Sequence, residues 1–506
     1  MKRSDTLLAL AAVVLLAVNA YGAFSGFPVL DDGELLTTAR EAGAGALLTN
    51  NRDRPINGWL IHASYGLFGE RKALWVAIAA LFWAVFAWQT ARLVRRVLPE
   101  SRALPGLCAL LVLAPLVVEM QHTTLTSVFA AMLPTILAFA ALLLTLRPER
   151  DRDLGRARLA LSAALVAAGA LVSEYSIAVT VPAVVFLALL ARLRAAAAMA
   201  VGAGVGLLGF RAIADLNARP DTMPGVQAAR VAGRLVQLPA RWLSGVWYTL
   251  VGAYGDAAGS MKLDLATKSS IFGALLGLAC AAAVAQAYLR EPRDPVVPAR
   301  RREFLALCAA AAVGLATIVL TSRVSDRGGF DSRFRLPILP FAAAATAYAL
   351  ERVARPRWRF LPGAALAFLA GYAAVAAAFQ ERRVQALYDE IARRILPTVR
   401  SSQGLTVVVL PGHEYAVPWA KLQVHYGLDD ERRVWALTED EADQLFGPRG
   451  ACHDTGWLRV KPTFRRIGRE GPIAHMLWAY ATYGGQLRLE PYCVAPPREP
   501  LPESAR

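Results

Sequence analysis

The sequence has no glycine-rich phosphate-binding loop and no repeat period, and it carries few charges and few cysteines for its length. The missing loop argues against a nucleotide-binding domain, and the missing period argues against a repeat architecture. Of the 506 residues, 19% are charged and 56% are hydrophobic. A chain this apolar cannot bury its aliphatic side chains in soluble cores, so the composition predicts a polytopic membrane protein.

Acidic residues are also scarce relative to basic ones, 39 against 55, which gives a net charge of +16. In a soluble protein this excess would suggest a nucleic-acid partner. Here the arginines gather in short clusters between apolar runs, which is the distribution of a membrane protein with positive cytoplasmic loops. We therefore expect the lipid bilayer, and no nucleic acid, as a partner.

Apolar runs of roughly 20 residues predict about eleven transmembrane helices. They cover approximately residues 6–24, 73–91, 104–119, 124–146, 158–173, 176–191, 195–212, 268–289, 304–321, 336–350 and 361–379. Basic clusters such as "RLVRR" and "ARLR" fall at alternate connections, which we place in the cytoplasm. The loops 25–72 and 213–267 and the tail then lie on the outer side of a bacterial inner membrane, with the active site.

The two long outer loops carry amphipathic sequence. The stretch "GELLTTAREAGAGALL" at 33–48 has apolar residues at helical spacing and predicts an interfacial helix. Loop 213–267 mixes Arg, Trp and Tyr with apolar residues, which favours a second interfacial helix, with a weak or re-entrant span as the alternative.

The composition changes near residue 380, which divides a transmembrane domain, 1–380, from a small outer domain, 381–506. "LTVVVLPG", "RRVWALTEDEADQLFG" and "GGQLRLEPYCV" read as strands with an intervening helix, so we predict an α/β fold. Cys452 and Cys493 lie in this oxidising compartment and are a candidate disulfide. Cys108, Cys280 and Cys308 lie in apolar runs, where a thiol behaves as a small hydrophobe.

The candidate catalytic residues are Asp31 and Asp32, which follow the first span directly. A carboxylate there can serve as a general base on an acceptor hydroxyl. The alternative is that "DDGE" caps a helix. Both descriptions can hold, one for each aspartate.

Further ionisable residues cluster at the outer ends of spans. Glu119, with His122 one helical turn later, and Glu174, beside Tyr175, are flanked by apolar sequence, where a charge indicates function or a buried partner. The alternative is a carboxylate that faces water at the interface. Asp32 and Glu119 are the candidate ligands of a divalent cation, Mg²⁺ or Mn²⁺.

Two arginine pairs are candidates for binding a phosphate through bidentate hydrogen bonds. Arg333 and Arg335 precede the tenth predicted span, and Arg52 and Arg54 lie late in the first outer loop. The alternative role for these arginines is ion pairing with nearby aspartates.

These elements resemble the polytopic GT-C glycosyltransferases that use polyprenyl-phosphate sugars. The resemblance covers roughly residues 1–380 and rests on the order and sidedness of four elements. They are the acidic pair at 31–32, Arg54-Pro55, Glu119 with Thr123 and Thr124, and "SEYSIAVTVP"; the late "RFRLPILPF" is also similar.

The resemblance implies a GT-C-like fold, Asp31 or Asp32 as base, arginines on the lipid phosphate, and inversion at the sugar carbon. The chain departs from larger members by having Ser173 in place of the Lys of a Lys-Glu pair, and it lacks a "WWDYG"-type motif. The expected activity is sugar transfer to a periplasmic glycan or lipid-linked acceptor in polysaccharide biosynthesis. The alternatives are a transporter or flippase for a lipid-linked glycan, and a polymerase or ligase that uses a diphosphate-linked glycan.

Overall fold

The computed structural model describes residues 3–26, 39, 42–50, 54–114, 128–146, 154–173, 175–215, 238–243, 245–246, 268–290, 300–321, 336–353, 358, 360–401, 406–410, 434–438, 457–464 and 485–491. The chain forms two compact units. One contains Met1–Phe24 and Leu47–Phe379, and the other contains Ser25–Ala46 and Gln380–Arg506.

The helices of the described residues follow the apolar runs of the sequence. They are α1 Arg3–Gly26, α2 Ala46–Asn50, α3 Pro55–Phe68, α4 Lys72–Val97, α5 Ala103–Leu113, a π-helix Val128–Met132, α6 Leu133–Thr145, α7 Arg156–Val172, α8 Ser176–Leu189, α9 Leu193–Asp215, α10 Lys268–Leu289, α11 Arg301–Thr321, α12 Leu339–Val353 and α13 Phe360–Ser401.

Each of the eleven predicted spans falls on one of these helices, and the protein is a multi-pass membrane protein. Seven segments are long and apolar enough to cross a bilayer: Thr6–Phe24, Lys72–Val97, Val128–Thr145, Leu193–Ile213, Ser270–Leu289, Arg301–Leu320 and Phe360–Phe379. Helices α5, α7, α8 and α12 are shorter than 18 residues. The count of eleven spans therefore stays a prediction.

Small residues allow α7 and α9 to pack closely. A Cβ atom at Gly206 would lie 2.5 Å from the carbonyl oxygen of Ala167 and 2.6 Å from the Cβ of Ala170. Val205 and Leu208, on the other side of α9, are exposed, as expected for a helix that faces lipid.

Two predicted helix boundaries are wrong. The span predicted to reach residue 119 ends as α5 at Leu113, and Ala114 is extended, because the residue before a proline avoids the helical region. The helix predicted for 33–48 is interrupted before its last three residues, which belong to α2. Gly43 has a positive φ of 81°, and α2 begins only at Ala46.

The described part of loop 213–267 packs along the side of α11. Residues 238–243 and 245–246 are helical, and the Trp242 indole N–H donates a hydrogen bond of 2.9 Å to the carbonyl oxygen of Ala312. Ala312 precedes the end of α11 by nine residues, about 13 Å along the axis. Whether this segment lies at the interface or re-enters the membrane stays a prediction.

The described residues of the second unit include four strands, β1 Thr406–Leu410, β2 Val434–Thr438, β3 Trp457–Phe464 and β4 Gly485–Pro491. They form one sheet in the order β2-β1-β3-β4, in which β1 is parallel to both neighbours and β3 and β4 are antiparallel. Strands β1, β2 and β4 match the predicted ones. The α/β classification stays a prediction because residues 411–433 and 439–456 lie outside the described residues.

Candidate functional site

Two of the predicted site residues, Arg54 and Tyr175, are among the residues that the structure describes. The others lie outside them: Asp31, Asp32, Arg52, Glu119, His122, Glu174, Arg333, Arg335, Cys452 and Cys493. The roles of these ten residues stay predictions. The helices that lead to and from most of them along the chain are described.

Arginine side chains join neighbouring helices through hydrogen bonds at one end of the helical bundle. Arg192 donates a hydrogen bond of 2.9 Å to the carbonyl of Thr145 at the end of α6, and Arg302 donates one of 2.6 Å to the carbonyl of Leu189 at the end of α8. Arg96 likewise donates to the carbonyl of Leu143. These guanidinium groups donate hydrogen bonds to backbone carbonyls near helix C-termini, which have no partner within the helix.

An ion pair completes this end of the bundle. Arg300 approaches Oε1 of Glu100 through Nε at 2.6 Å and Nη2 at 2.5 Å, and it lies 3.1 Å from Glu303. The hydrogen bond to Glu100 raises the pKa of Arg300. We call this region, defined by Arg96, Arg192, Arg300 and Arg302, the basic end. It coincides with connections that the sequence predicts to be cytoplasmic.

The opposite end of the bundle contains the neighbours of the predicted site residues. We call it the first-loop end and define it by Arg54 with α3, Leu113, the π-helix, Ser173–Ser176 and Leu336–Ile338. At this end the Asn19 side-chain amide of α1 donates a hydrogen bond to the carbonyl of Leu113, the last residue of α5. The hydrogen bond places the exits of α1 and α5 side by side.

Arg54 stands at the start of α3. Its carbonyl accepts a hydrogen bond of 2.9 Å from the N–H of Gly58, and Pro55 occupies the first turn, where a missing N–H costs nothing. Helix α3 packs against α7 and the π-helix. The Arg54-Pro55 element therefore initiates a helix that lies at the first-loop end.

Tyr175 lies in the tight turn between α7 and α8. Its N–H donates to Oγ of Ser173 at 3.2 Å, and the N–H of Ser176 donates to the carbonyl of Ser173 at 3.1 Å. The Tyr175 side chain is buried. Glu174, between these residues, lies outside the described residues, but its chain neighbours on both sides are fixed by this turn.

An apolar cluster joins the start of α8 to the segment that precedes α12. Ala178, Leu315, Ile318 and Ile338 are buried together. Ala178 follows Glu174 by four residues, and Ile338 follows Arg335 by three. The fold thus brings the segment that follows Glu174 into contact with the segment that follows Arg333 and Arg335.

Three buried polar side chains at the first-loop end have an oxygen without a hydrogen-bond partner among the described residues. They are Oδ1 of Asn57, Oγ of Ser176 and Oγ1 of Thr180. Their residues are 1%, 1% and 2% exposed. A buried polar atom left unsatisfied costs about 1–3 kcal/mol, so each oxygen is a candidate contact for a polar ligand or for water.

Aromatic rings fill the middle of the bundle. Ring centroids are 5.9 Å apart between Phe86 and Phe139, 5.5 Å between Phe139 and Phe341, and 5.5 Å between Phe341 and Phe186. The four side chains are at most 1% exposed and come from α4, α6, α12 and α8. We call this set the aromatic plug. The rings contact one another in series from α4 through α6 and α12 to α8.

The part of the chain that the structure describes contains no group of three metal-ligating side chains. Asp32 and Glu119, the candidate ligands of a divalent cation, lie outside it, so the cation stays a proposal. The free thiols of Cys108, Cys280 and Cys308 lie in α5, α10 and α11, where Cys108 and Cys280 are buried, as expected for small apolar side chains.

The sequence alone does not predict α3, the role of Asn57 or the π-helix. The proline in the first turn of α3 was a usable signal for a helix start, but the helix has only 14 residues and contains Asn, Ser and two Gly. Asn57 gives no signal until the buried face of α3 is known. The π-helix ends two residues before Pro134, whose missing N–H removes one backbone hydrogen bond, but it has no sequence pattern of its own.

No family model and no curated protein matches the chain. Among solved structures, the chain is similar to apo ArnT from Cupriavidus metallidurans, with a TM-score of 0.45 and 14% identity over 91% of this chain and 93% of that one. It is also similar to the same protein bound to undecaprenyl phosphate, with a TM-score of 0.41 and 12% identity over 89% and 92%. Similarity at this level assigns neither a fold nor an activity to this chain.

Proposed function

We propose that this protein is a membrane glycosyltransferase that moves a sugar from a polyprenyl-phosphate donor to a glycan or a lipid-linked acceptor. The observation that carries the proposal is the group of buried oxygens of Asn57, Ser176 and Thr180 at the first-loop end, which have no hydrogen-bond partner among the described residues. Polar groups at the end of a bundle favour a reaction at the membrane surface, whereas transport across the membrane favours polar residues or broken helices at mid-membrane.

The donor chemistry follows from the position of this end. A polyprenyl-phosphate sugar keeps its tail in lipid and its phosphate at the interface, so its enzyme needs cations at that level. Arg54 begins α3 at the first-loop end, and Arg333 and Arg335 precede the segment that packs against α8. In the proposed site these arginines bind the phosphate through charge-assisted hydrogen bonds and so stabilise the leaving group.

In the proposed reaction, Asp31 or Asp32 accepts the proton of the acceptor hydroxyl as its oxygen attacks the anomeric carbon. The bond between that carbon and the phosphate oxygen then breaks, the lipid phosphate leaves with the electron pair, and a direct displacement inverts the anomeric centre. Glu119, His122, Glu174 and Tyr175 are the proposed supporting residues. We place this site on the periplasmic side of the bacterial inner membrane.

The test is sugar transfer in membranes that contain the wild-type protein or the Asp31→Ala/Asp32→Ala variant, with a radiolabelled polyprenyl-phosphate sugar. The proposal expects a labelled glycosidic product from the wild type alone. Movement of the labelled lipid between leaflets without a new glycosidic bond would instead show the transporter or flippase. A product made only from a diphosphate-linked donor would show the polymerase or ligase.

The proposed divalent cation has its own test. If Asp32 and Glu119 hold Mg²⁺ or Mn²⁺ through their oxygen ligands, EDTA lowers the rate of transfer and added Mg²⁺ or Mn²⁺ restores it. A rate that EDTA leaves unchanged removes the cation from the mechanism and leaves the aspartate base in place.

A further inference from the structure

Asn57 is a buried carboxamide on the face of α3 that packs into the bundle. It is 1% exposed, and Ile61, one turn later, is equally buried, while Trp59 on the opposite face is 61% exposed. The Oδ1 atom has no hydrogen-bond partner among the described residues. The fold thus holds an unused acceptor three residues after Arg54, inside the first-loop end.

The surroundings of α3 also indicate a ligand. The helix packs against the π-helix Val128–Met132 and against α7, which leads into the turn that contains Glu174. Single π-turns occur frequently at functional sites because they redirect side chains and free a backbone group. The buried face of α3 therefore lies among elements that already flank three predicted site residues, Arg54, His122 and Glu174.

The chemistry of the acceptor restricts what can satisfy it. A carboxamide oxygen needs a donor, and an ionised phosphodiester has only acceptors. A sugar carries hydroxyl or amino donors at several ring positions. We propose that Asn57 recognises the sugar of the lipid-linked donor by accepting a hydrogen bond from one of its hydroxyl or amino groups, while the arginines take the phosphate. This inference rests on the proposed function and adds to it a residue that recognises the sugar.

Gln89 of α4 provides a matched control. It is also a buried carboxamide, 3% exposed, with an unpartnered Oε1 among the described residues. The Nε2 atom of Gln89 donates a hydrogen bond of 2.9 Å to the carbonyl of Ile136. Gln89 lies eight residues before the end of α4, and that end of the helix belongs to the basic end of the bundle. Gln89→Leu removes a buried amide far from the first-loop end.

The experiment measures binding without turnover. The full-length protein in detergent is titrated with undecaprenyl phosphate and with a panel of undecaprenyl-phosphate hexoses and pentoses, and binding is followed by the rise in Tm. The wild type should bind one sugar lipid more tightly than the bare phosphate. Asn57→Leu should weaken binding of that sugar lipid by about 10- to 100-fold and leave the affinity for bare undecaprenyl phosphate unchanged.

Two further readouts separate recognition from a structural role. Asn57→Leu should raise the Tm of the ligand-free protein, because it replaces an unsatisfied buried oxygen with an apolar group of the same branched shape. A deoxy sugar lipid that lacks the recognised hydroxyl should bind wild type and Asn57→Leu equally. Gln89→Leu should keep the full preference for the sugar lipid.

The outcomes distinguish this inference from the proposed function. A wild type that prefers the sugar lipid, with the same preference in Asn57→Leu, overturns the role of Asn57 alone, as does equal weakening for both lipids. A wild type that never prefers a sugar lipid overturns both. If Asn57→Leu does not give a monodisperse protein, Asn57→Ser decides: its shorter side chain should reduce the preference, and an unchanged preference rejects the inference.

Discussion

The two ends of the helical bundle use polar side chains in opposite ways. At the basic end, Arg192 and Arg302 donate to carbonyls at helix ends, and Arg300 is held by Glu100 and Glu303. At the first-loop end, oxygens of Asn57 and Ser176 are buried without partners among the described residues.

Under the proposed function, this difference separates groups that stabilise the fold from groups that can bind a ligand. The separation is partial, because Gln286 near the end of α10 also has a buried oxygen without a partner among the described residues. Paired groups stabilise the fold. Unpaired buried groups destabilise it, and natural proteins accept such groups mainly where a ligand or a reaction needs them. The contrast therefore predicts that substitutions at the first-loop end change activity more than stability, and that substitutions at the basic end do the reverse.

The largest effect is expected for the acidic pair. Because a positioned general base contributes about 10²- to 10⁴-fold to a rate, Asp31→Ala/Asp32→Ala should lower sugar transfer by that factor with no change in Tm. Each single variant, assayed beside the double, shows which aspartate is the base. If the double variant keeps full activity, the first-loop end is not the catalytic end.

The second effect concerns the donor phosphate. Arg54→Ala should weaken binding of undecaprenyl phosphate by about 10- to 100-fold, since a hydrogen bond to a charged group is worth about 1.5–3 kcal/mol. Arg54→Lys, the control, should retain part of the affinity because it keeps the charge and loses the bidentate geometry. Equal affinity in the wild type and Arg54→Ala would assign Arg54 to an ion pair.

The third effect concerns the packing that supports the first-loop end. A side chain at Gly314 would collide with Ile338 and contact Pro182, so Gly314→Val should cost about 1–3 kcal/mol of stability and also weaken donor binding. Gly204→Ala is the control, because a Cβ there meets nothing within 4 Å. Thermal unfolding in detergent checks both, and an unchanged Tm in Gly314→Val would contradict the close approach.

The smallest effect is expected at the basic end. Glu100→Gln removes the charge from a partly exposed pair and should cost at most about 1 kcal/mol while transfer stays at the wild-type rate. The more exposed pair Glu390–Arg394 is the control, and Glu390→Gln should cost about 0.3–0.5 kcal/mol. A large loss of transfer in Glu100→Gln would remove the distinction between the two ends.

Hydropathy predicted the positions of the helices because crossing a bilayer imposes a length and a composition on each segment. It did not predict their ends. The run that contains α5 continues past Leu113, yet the helix ends there, before Pro115, and the positive φ of Gly43 interrupts the run predicted as a helix over 33–48. Strand β3 is not predicted because Pro462 argues against a strand, although Leu458 and Val460 alternate with Arg459 and Lys461.

The site was predicted less completely than the fold. Arginines and carboxylates beside apolar runs are visible in a sequence because charge is costly there. A buried amide such as Asn57 is visible only after α3 is known to pack on α7 and the π-helix. A buried side chain whose polar atom has no hydrogen-bond partner shows no characteristic sequence pattern. The three-dimensional fold is therefore needed to find it.

The aromatic plug has a consequence for how the protein is supplied. Packed rings from four helices leave no opening for a lipid headgroup between the rings themselves. If the proposed transfer takes place at the first-loop end, we therefore expect the lipid-linked sugar to arrive from the leaflet on that side. A cell that assembles such lipids in the cytoplasm would then need a separate protein to turn them over before this one can act.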